Sequence, residues 1–407
     1  MSLIRPFKGL RPLPEYAAQV VAPPYDVLDR AAAIQLAKQK PWCFLHISRA
    51  EIDLPYDTDP YDPAVYAKSA ENFHKLLADG VLRRDAIECY YVYRLIMNGH
   101  SQIGLVAVAS VAEYDKNRIR KHEYTRMAKE NDRVRQIEAL NAQTGPVLLA
   151  YRCEPAVDAI LEQIATDRPL VDITADDGVQ HEFWVIGEDR IVATITEAFD
   201  AMEVLYIADG HHRSAAASRV ARSQRRAGHT SSDYFLAVIY PHTRMKIMAY
   251  NRVITDLNGL DQRELLEMIS ASFAFREESE PVSPGKEGEF GMYLEGQWYR
   301  LNIHADRIPA DPVKSLDVSL LADHLIEAVL GISDPRADPR IDFVGGIRGL
   351  GELENLVDSG EMAIAFSLFP TRMEVLMAVA DANLVMPPKS TWFEPKLADG
   401  LVSHLLD

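Results

Sequence analysis

The sequence predicts a mixed α and β fold, of the α+β kind, with a mixed sheet in one lobe and a second α/β lobe joined to it. Short β-branched and aromatic runs alternate irregularly with stretches of helical periodicity. An Asn98-Gly99 pair separates two such runs, the mark of a hairpin. The length of 407 residues exceeds what one core usually serves and falls short of three domains. The boundary is expected between 260 and 261, with the segment 386–396 returning to the site of the first lobe.

The opening stretch, Met1 to Asp29, is rich in proline, and Ala22-Pro23-Pro24-Tyr25-Asp26-Val27 reads as an extended loop because proline disfavours helix at the residue before it. A helix is expected from about Arg30 to Gln39. After the proline and aspartate tract between Glu51 and Pro63, Val65, Ser69, Phe73, Leu76 and Leu77 recur at helical spacing until Asp79-Gly80 stops them. Ile87–Met97 and Ile103–Val111 are the two arms of the hairpin.

From Ile119 to Gly145 charge is dense. If Glu130 to Asn141 is helical, Asp132, Gln136 and Leu140 share one face and Arg133, Ile137 and Asn141 the next, so Arg133 is not obliged to face solvent. The apolar run Val147-Leu148-Leu149-Ala150 follows. Met202 to Ala208 reads as a strand that ends at Asp209-Gly210, and the alanine-rich stretch from His211 to Arg226 as a helix. A polar loop from Ala227 to Asp233 leads to strands at Tyr234–Tyr240 and Lys246–Ile254 and a helix from Leu260 to Phe273. The last third is read as strand at Gly291–Ile303, helix at Ser319–Leu330, a glycine-rich turn at Gly345–Gly351, and strands near Ala363–Phe369 and Arg372–Ala378.

A net charge of −17 argues against broad binding of nucleic acid or anionic membranes. Cys43, Cys89 and Cys153 form no CxxC pair, and an odd number completes no disulfide framework, which fits a reduced cytoplasm. Neither a signal peptide nor an apolar span of about 18 residues is visible.

Three constellations carry chemistry. In Asp209-Gly210-His211-His212-Arg213 a strand turns sharply into a helix whose first amides and dipole attract an anion. Gly210 allows close approach, His211 and His212 can donate, and Arg213 offers a fork that suits phosphate oxygens. Asp209 as a simple helix cap, followed by solvated side chains, explains the same residues equally well. In Arg120-Lys121-His122-Glu123-Tyr124-Thr125-Arg126, followed by Asp132-Arg133 and Thr144-Gly145-Pro146, acid, base and cation stand within a few residues. A solvated helix with internal ion pairs is the commoner meaning of such a segment. In Met386-Pro387-Pro388-Lys389-Ser390-Thr391-Trp392-Phe393-Glu394-Pro395-Lys396, a proline-stiffened loop presents two lysines and two hydroxyls at little ordering cost. It lacks the glycines of a P-loop, and a rigid surface tail would look the same. Asp26 is a candidate general base, although aspartate in such a turn is more often structural.

These segments resemble, in order and over nearly the whole chain, the bacterial and archaeal proteins grouped as domain of unknown function 1015. The resemblance runs from Phe7-Lys8-Gly9-Leu10-Arg11-Pro12 through the three constellations. Gly210-His211-His212-Arg213-Ser214-Ala215-Ala216 is also similar to the phosphate-binding GxxRxxA signature of the ParB and sulfiredoxin fold, whose members include free-serine kinases. Sulfiredoxins carry a cysteine where this chain has His211, and ParB proteins add a DNA-binding domain that this acidic chain does not advertise. The resemblance therefore implies a small-molecule kinase with a ParB/sulfiredoxin-like core, transferring phosphate from ATP or another nucleotide to a free hydroxy amino acid, with L-serine favoured.

It further implies phosphates held by Asp209, Gly210, His211, His212, Arg213, Thr125 and Arg133, with Lys389, Ser390, Thr391 and Lys396 closing over them. Asp26 would be the base, Glu123, His122 and His212 further acid–base groups, and Asp209 and Glu123 the ligands of Mg²⁺. A nucleotide-binding regulatory module without catalysis, or a phosphate-ester hydrolase using His122 or His212, is the alternative. No nucleic-acid or membrane partner is expected, and a homodimer is left open.

Overall fold

Asn98 and Gly99 take φ of 50° and 78°, the left-handed values that a two-residue hairpin turn demands. Across them Tyr90–Met97 and His100–Ser110 pair antiparallel, with Met97 opposite His100. In the computed structural model, which describes residues 2–226 and 230–406, this hairpin is central to a nine-stranded sheet. The sheet runs Ile119–Arg120, Leu205–Asp209, Val147–Tyr151, Tyr234–Pro241, His100–Ser110, Tyr90–Met97, Gln180–Ile186, Val171–Thr174, and Ile4–Arg5 also pairs with His100–Ser110. Two joins are parallel, Leu205–Asp209 with Ile119–Arg120 and Tyr234–Pro241 with Val147–Tyr151. The others are antiparallel, so the sheet is mixed as expected.

Helices Pro155–Ile164, Asp189–Ala201 and His211–Arg226 bury Val157, Leu161, Ile195, Phe199, Ala217 and Ala221 in one cluster with Leu105, Leu149, Ile207 and Ile239 of the sheet. Each large apolar side chain taken fully from water here contributes roughly 1.5–3 kcal/mol. A second cluster joins Phe44, Leu45 and Ile47 to Phe73 and Leu76 of helix Pro63–Ala78 and to Leu140. Asp62 caps that helix by accepting the Ala64 amide, proline occupies its first turn, and Gly80 ends it at φ 71°. Helix Met127–Leu140 buries Asp132, Gln136 and Leu140, which the spacing puts on one face, together with Ile137 of the next.

The chain divides into two units, Met1–Met245 with Pro395–Asp407, and Lys246–Glu394. Strand Tyr250–Ile254, which a boundary at 260 would leave in the first lobe, lies inside the sheet of the second. That antiparallel sheet runs Phe273–Glu278, Gln297–Ile303, Glu289–Leu294, Ile364–Leu368, Tyr250–Ile254, Ile341–Gly345.

Two expectations for this unit need correction. The run Gly291–Ile303 is a hairpin, because Glu295 and Gly296 turn the chain at φ 50° and 81°. The stretch 372–378 belongs to helix Met373–Asp381, not to a strand. Its buried Met373, Leu376, Met377 and Ala380 recur at helical spacing, which a short apolar run conceals. In the expected loop Ala227–Asp233, Ser231–Asp233 forms a short 3-10 turn, and residues 227–229 lie outside the described ones. Among the described residues no helix is long and apolar enough to cross a membrane.

Candidate functional site

Strand Leu205–Asp209 ends in a register shift against Val147–Tyr151, and Gly210 at φ 97° swings the chain into helix His211–Arg226. A side chain at Gly210 would meet Arg213 Nε at 3.1 Å and Val147 Cα at 3.3 Å, so both backbone angle and space require glycine. Asp209 Oδ1 accepts the Gly210 amide at 2.7 Å and lies 3.9 Å from Arg213 Nη2, while Oδ2 lies 3.4 Å from Lys396 Nζ. Burial alone would raise this carboxyl, but Lys396 and Arg213 outweigh it and hold it well below the usual carboxylate range. The Asp209 side chain is 34% exposed, so it screens part of that field with water. Arg213 also donates to the Pro146 carbonyl and keeps 11% of its side chain exposed. Two cations thus converge on one carboxylate at a helix start, a net positive spot in a strongly acidic chain.

The adjacent histidines diverge and fasten the charged segment to that start. His211 Nε2 accepts the His122 amide at 3.4 Å, and His212 Nε2 accepts the Arg126 amide at 3.0 Å. Burial keeps both imidazoles below the usual histidine range, with His122 depressing His211 further and Arg126 depressing His212. Each is therefore a neutral ring with one N–H left to donate, on Nδ1. His122, 2% exposed, packs edge-on against His211 at 4.5 Å between centroids. Burial pushes it down to about 4 against a ring bond to the Ile207 carbonyl, and its Nδ1 has no partner. Glu123 is exposed, its Oε2 3.9 Å from His211 Nδ1. One donor atom each of His122, Glu123 and His211 lies within 4.8 Å of the others, a group able to hold a metal ion. Thr125 donates to Glu130 at 3.0 Å, inside the segment.

Behind Arg213 a narrow cleft is lined by Tyr25, Ser48, Arg133, Thr144, Arg213 and Asp399, among others. Arg133 is half-buried, as the helical spacing allowed. It donates from Nε and Nη2 to Asp132 at 3.0 and 2.7 Å and stacks 3.8 Å above the Tyr25 ring. Asp399, 2% exposed, is tied by its backbone to Ala22, with bonds of 2.9 and 3.1 Å in the two directions. Its Oδ1 has no partner, and burial pushes its carboxyl up to about 7, with Arg213 and Arg133 opposing and Asp26 adding to the rise. Ser48 Oγ is likewise buried without a partner. Asp26 is exposed, and its charge acts on Arg213 and His212.

The structure brings Asp209, Gly210, Arg213 and Lys396 together, and groups His122, Glu123 and His211 beside the same helix start. Lys389, Ser390 and Thr391 belong to the second unit, whereas Lys396 belongs to the first. In its own unit Lys389 sits at φ 62° with Nζ 5.3 Å from the Tyr250 ring, and Ser390 spends its hydroxyl on the Pro387 carbonyl at 2.6 Å. Sequence reasoning missed Asp399 and Ser48. Neither carries a motif around it, and only the Asp399-Gly400 step hints at a special turn, with Gly400 at φ 89°.

Fold and site together define an α+β protein in which two cations meet one carboxylate at a glycine-led helix start, with a narrow cleft beside it. The chain belongs to the family described as protein of unknown function (DUF1015), whose model matches residues 4–319. No curated protein matches it. Among solved structures, it is similar to a conserved hypothetical protein from Pyrococcus furiosus at 14% identity and TM-score 0.35, covering 73% of this chain and 95% of that one. A free serine kinase in complex with AMP is similar at 14% identity and TM-score 0.37, over 73% and 92% of the two chains. SbnI with a C-terminal truncation, from Staphylococcus aureus, is similar at 9% identity and TM-score 0.37, over 72% and 85%.

Proposed function

We propose that this protein is a phosphotransferase that moves a phosphoryl group from ATP to the hydroxyl of a small acceptor. L-serine is the acceptor that the sequence resemblance implies. The observation that carries the reading is the convergence of Arg213 and Lys396 on Asp209 at the Gly210 helix start. Phosphates would displace Asp209 as the partner of these cations and take the first-turn amides of the helix, the groups without intrahelical acceptors. Phosphoryl transfer needs mainly alignment and charge neutralisation, which a fixed arginine, a lysine and oriented amides provide. Asp26, exposed and within electrostatic reach of Arg213, is the base assigned to the acceptor hydroxyl.

A magnesium ion in this reaction would be carried chiefly by the nucleotide's own phosphates and water. Both oxygens of Asp209 already face cations or an amide, and Glu123 stands with two imidazoles, a nitrogen-rich set that suits zinc or iron better than magnesium.

The test is to incubate the protein with ATP, Mg²⁺ and L-serine and measure phosphoserine and ADP by mass spectrometry. Arg213→Ala should lower turnover by roughly 100-fold or more, the usual loss when one charge-stabilising donor is removed. Nucleotide binding without product, or product unchanged in Arg213→Ala, would overturn the reading.

A further inference from the structure

We propose that His122, Glu123 and His211 form a site for one divalent transition-metal ion of the zinc class, with a coordination position open to solvent. The site goes beyond the phosphotransfer reading and does not depend on it.

Buried polar atoms in folded proteins almost always have a partner, yet Nδ1 of His122, a residue 2% exposed, has none. The bond from this ring to the Ile207 carbonyl therefore comes from Nε2. It keeps the proton on Nε2 and leaves a bare lone pair on Nδ1. A histidine that donates one N–H to a carbonyl and offers its other nitrogen is the usual metal-ligand arrangement, because the carbonyl fixes both tautomer and ring orientation.

Two further donors stand close enough to share an ion with that lone pair. One donor atom each of His122, Glu123 and His211 lies within 4.8 Å of the others, and His211 Nδ1 is 3.9 Å from Glu123 Oε2. Donors at about 2.0–2.2 Å from a zinc ion stand roughly 3–4 Å apart, so the set has to close by about 1 Å. Glu123, with 43% of its side chain exposed, has the freedom to supply that movement. His211 frees Nδ1 by carrying its proton on Nε2 instead. The cost is the contact of Nε2 with the His122 amide, which at 3.4 Å is long for a hydrogen bond.

The donor set selects the ion. Two imidazoles and a single carboxylate suit zinc or ferrous iron, whereas magnesium prefers carboxylates, phosphates and water. Three protein ligands leave a tetrahedral position free, as catalytic zinc sites do and structural ones do not. That position opens on the side of exposed Glu123. His211 begins helix His211–Arg226, and His122 and Glu123 follow strand Ile119–Arg120, so the ion also ties this segment to the helix start.

The test is isothermal titration of the full chain, stripped with a chelator and free of nucleotide, with zinc chloride and separately with magnesium chloride. Expected is saturable binding of one zinc ion per chain and no comparable binding of magnesium. Glu123→Gln and His122→Asn should each weaken zinc by roughly tenfold or more, at least the loss that follows removal of a supporting residue. Glu123 is exposed, so its variant serves even if His122→Asn fails to fold. Cobalt in place of zinc should show visible d–d bands of a nitrogen-ligated site, lost in both variants.

No zinc binding would overturn the proposal and leave His122 Nδ1 to a buried water. Zinc affinity unchanged in either folded variant would overturn it too, and would assign the ion to a surface pair such as His46 with Asp53. Zinc bound without phosphoserine in the activity assay would refute the kinase reading alone. Phosphoserine formed by a chain that binds no zinc would refute this proposal alone.

Discussion

Asp399→Asn should make the protein more stable near neutrality. A buried aspartate whose carboxyl is pushed from 3.8 to about 7 holds its proton more tightly folded than unfolded. Below about pH 4 both states are protonated and the group contributes no pH dependence. Between about pH 4 and 7 the unfolded chain gives up the proton first, so stability falls as pH rises, by up to about 1.4 kcal/mol per unit. Above about pH 7 the full cost is present. Three units correspond to about 4 kcal/mol, and relaxation around the charge reduces this to a working range of about 2–4 kcal/mol.

Asparagine has almost the same shape and no charge, so the variant lacks this slope. The assay is urea unfolding of wild type and variant from about pH 4.5 to 8, read as a difference. Contributions from His122 and His181, which burial depresses to about 4 and which destabilise the fold at acid pH, are common to both and cancel. Expected is a difference near zero at the acid end that grows in the variant's favour towards the alkaline end. Its equivalent is roughly 5–15 °C in melting temperature for a unit of this size. A difference independent of pH, or a variant less stable than wild type at about pH 8, would refute the reasoning.

Two further outcomes follow from the helix start. Gly210→Ala places a Cβ at φ 97°, 3.1 Å from Arg213 Nε and 3.3 Å from the Val147 backbone. It should cost roughly 2–3 kcal/mol in urea unfolding and abolish nucleotide binding, and a wild-type midpoint would show that the turn tolerates a side chain. His212→Ala removes the acceptor of the Arg126 amide, so trypsin should cut after Arg126 faster in the folded variant than in wild type, and an unchanged cleavage rate would mean that the imidazole does not hold the segment.

Local signals were legible in the sequence because each rests on neighbours along the chain. Asn98-Gly99 specifies its own turn, and the faces of helix Met127–Leu140 follow from 3.6-residue spacing. Asp209-Gly210 announces a strand meeting a helix. What was not legible depends on distant residues. Asp399 owes its perturbed carboxyl to burial beside Arg213 and Arg133, which lie 186 and 266 positions away by their numbers. The second unit misled for a local reason: a short apolar run such as 373–380 satisfies strand and helix rules alike, and only its burial pattern decides. The histidine pair was legible as a cluster but not as a pair of acceptors, because the amides of His122 and Arg126 reach it through tertiary folding.

The acidity of the chain and the proposed anion site are compatible for a reason of distance. A net charge of −17 spread over a surface acts through water, where fields decay over about 8 Å at physiological salt. Arg213 and Lys396 act within 4 Å of Asp209, and Arg213 is mostly covered, so screening there is weaker than in bulk water. On the proposed reading the local pair governs binding once a polyphosphate arrives, while a net charge of −17 disfavours longer polyanions elsewhere. Asp209 completes the device. It neutralises the two cations that would otherwise repel each other at the helix start, and on the proposed reading it gives them up to a partner of higher charge.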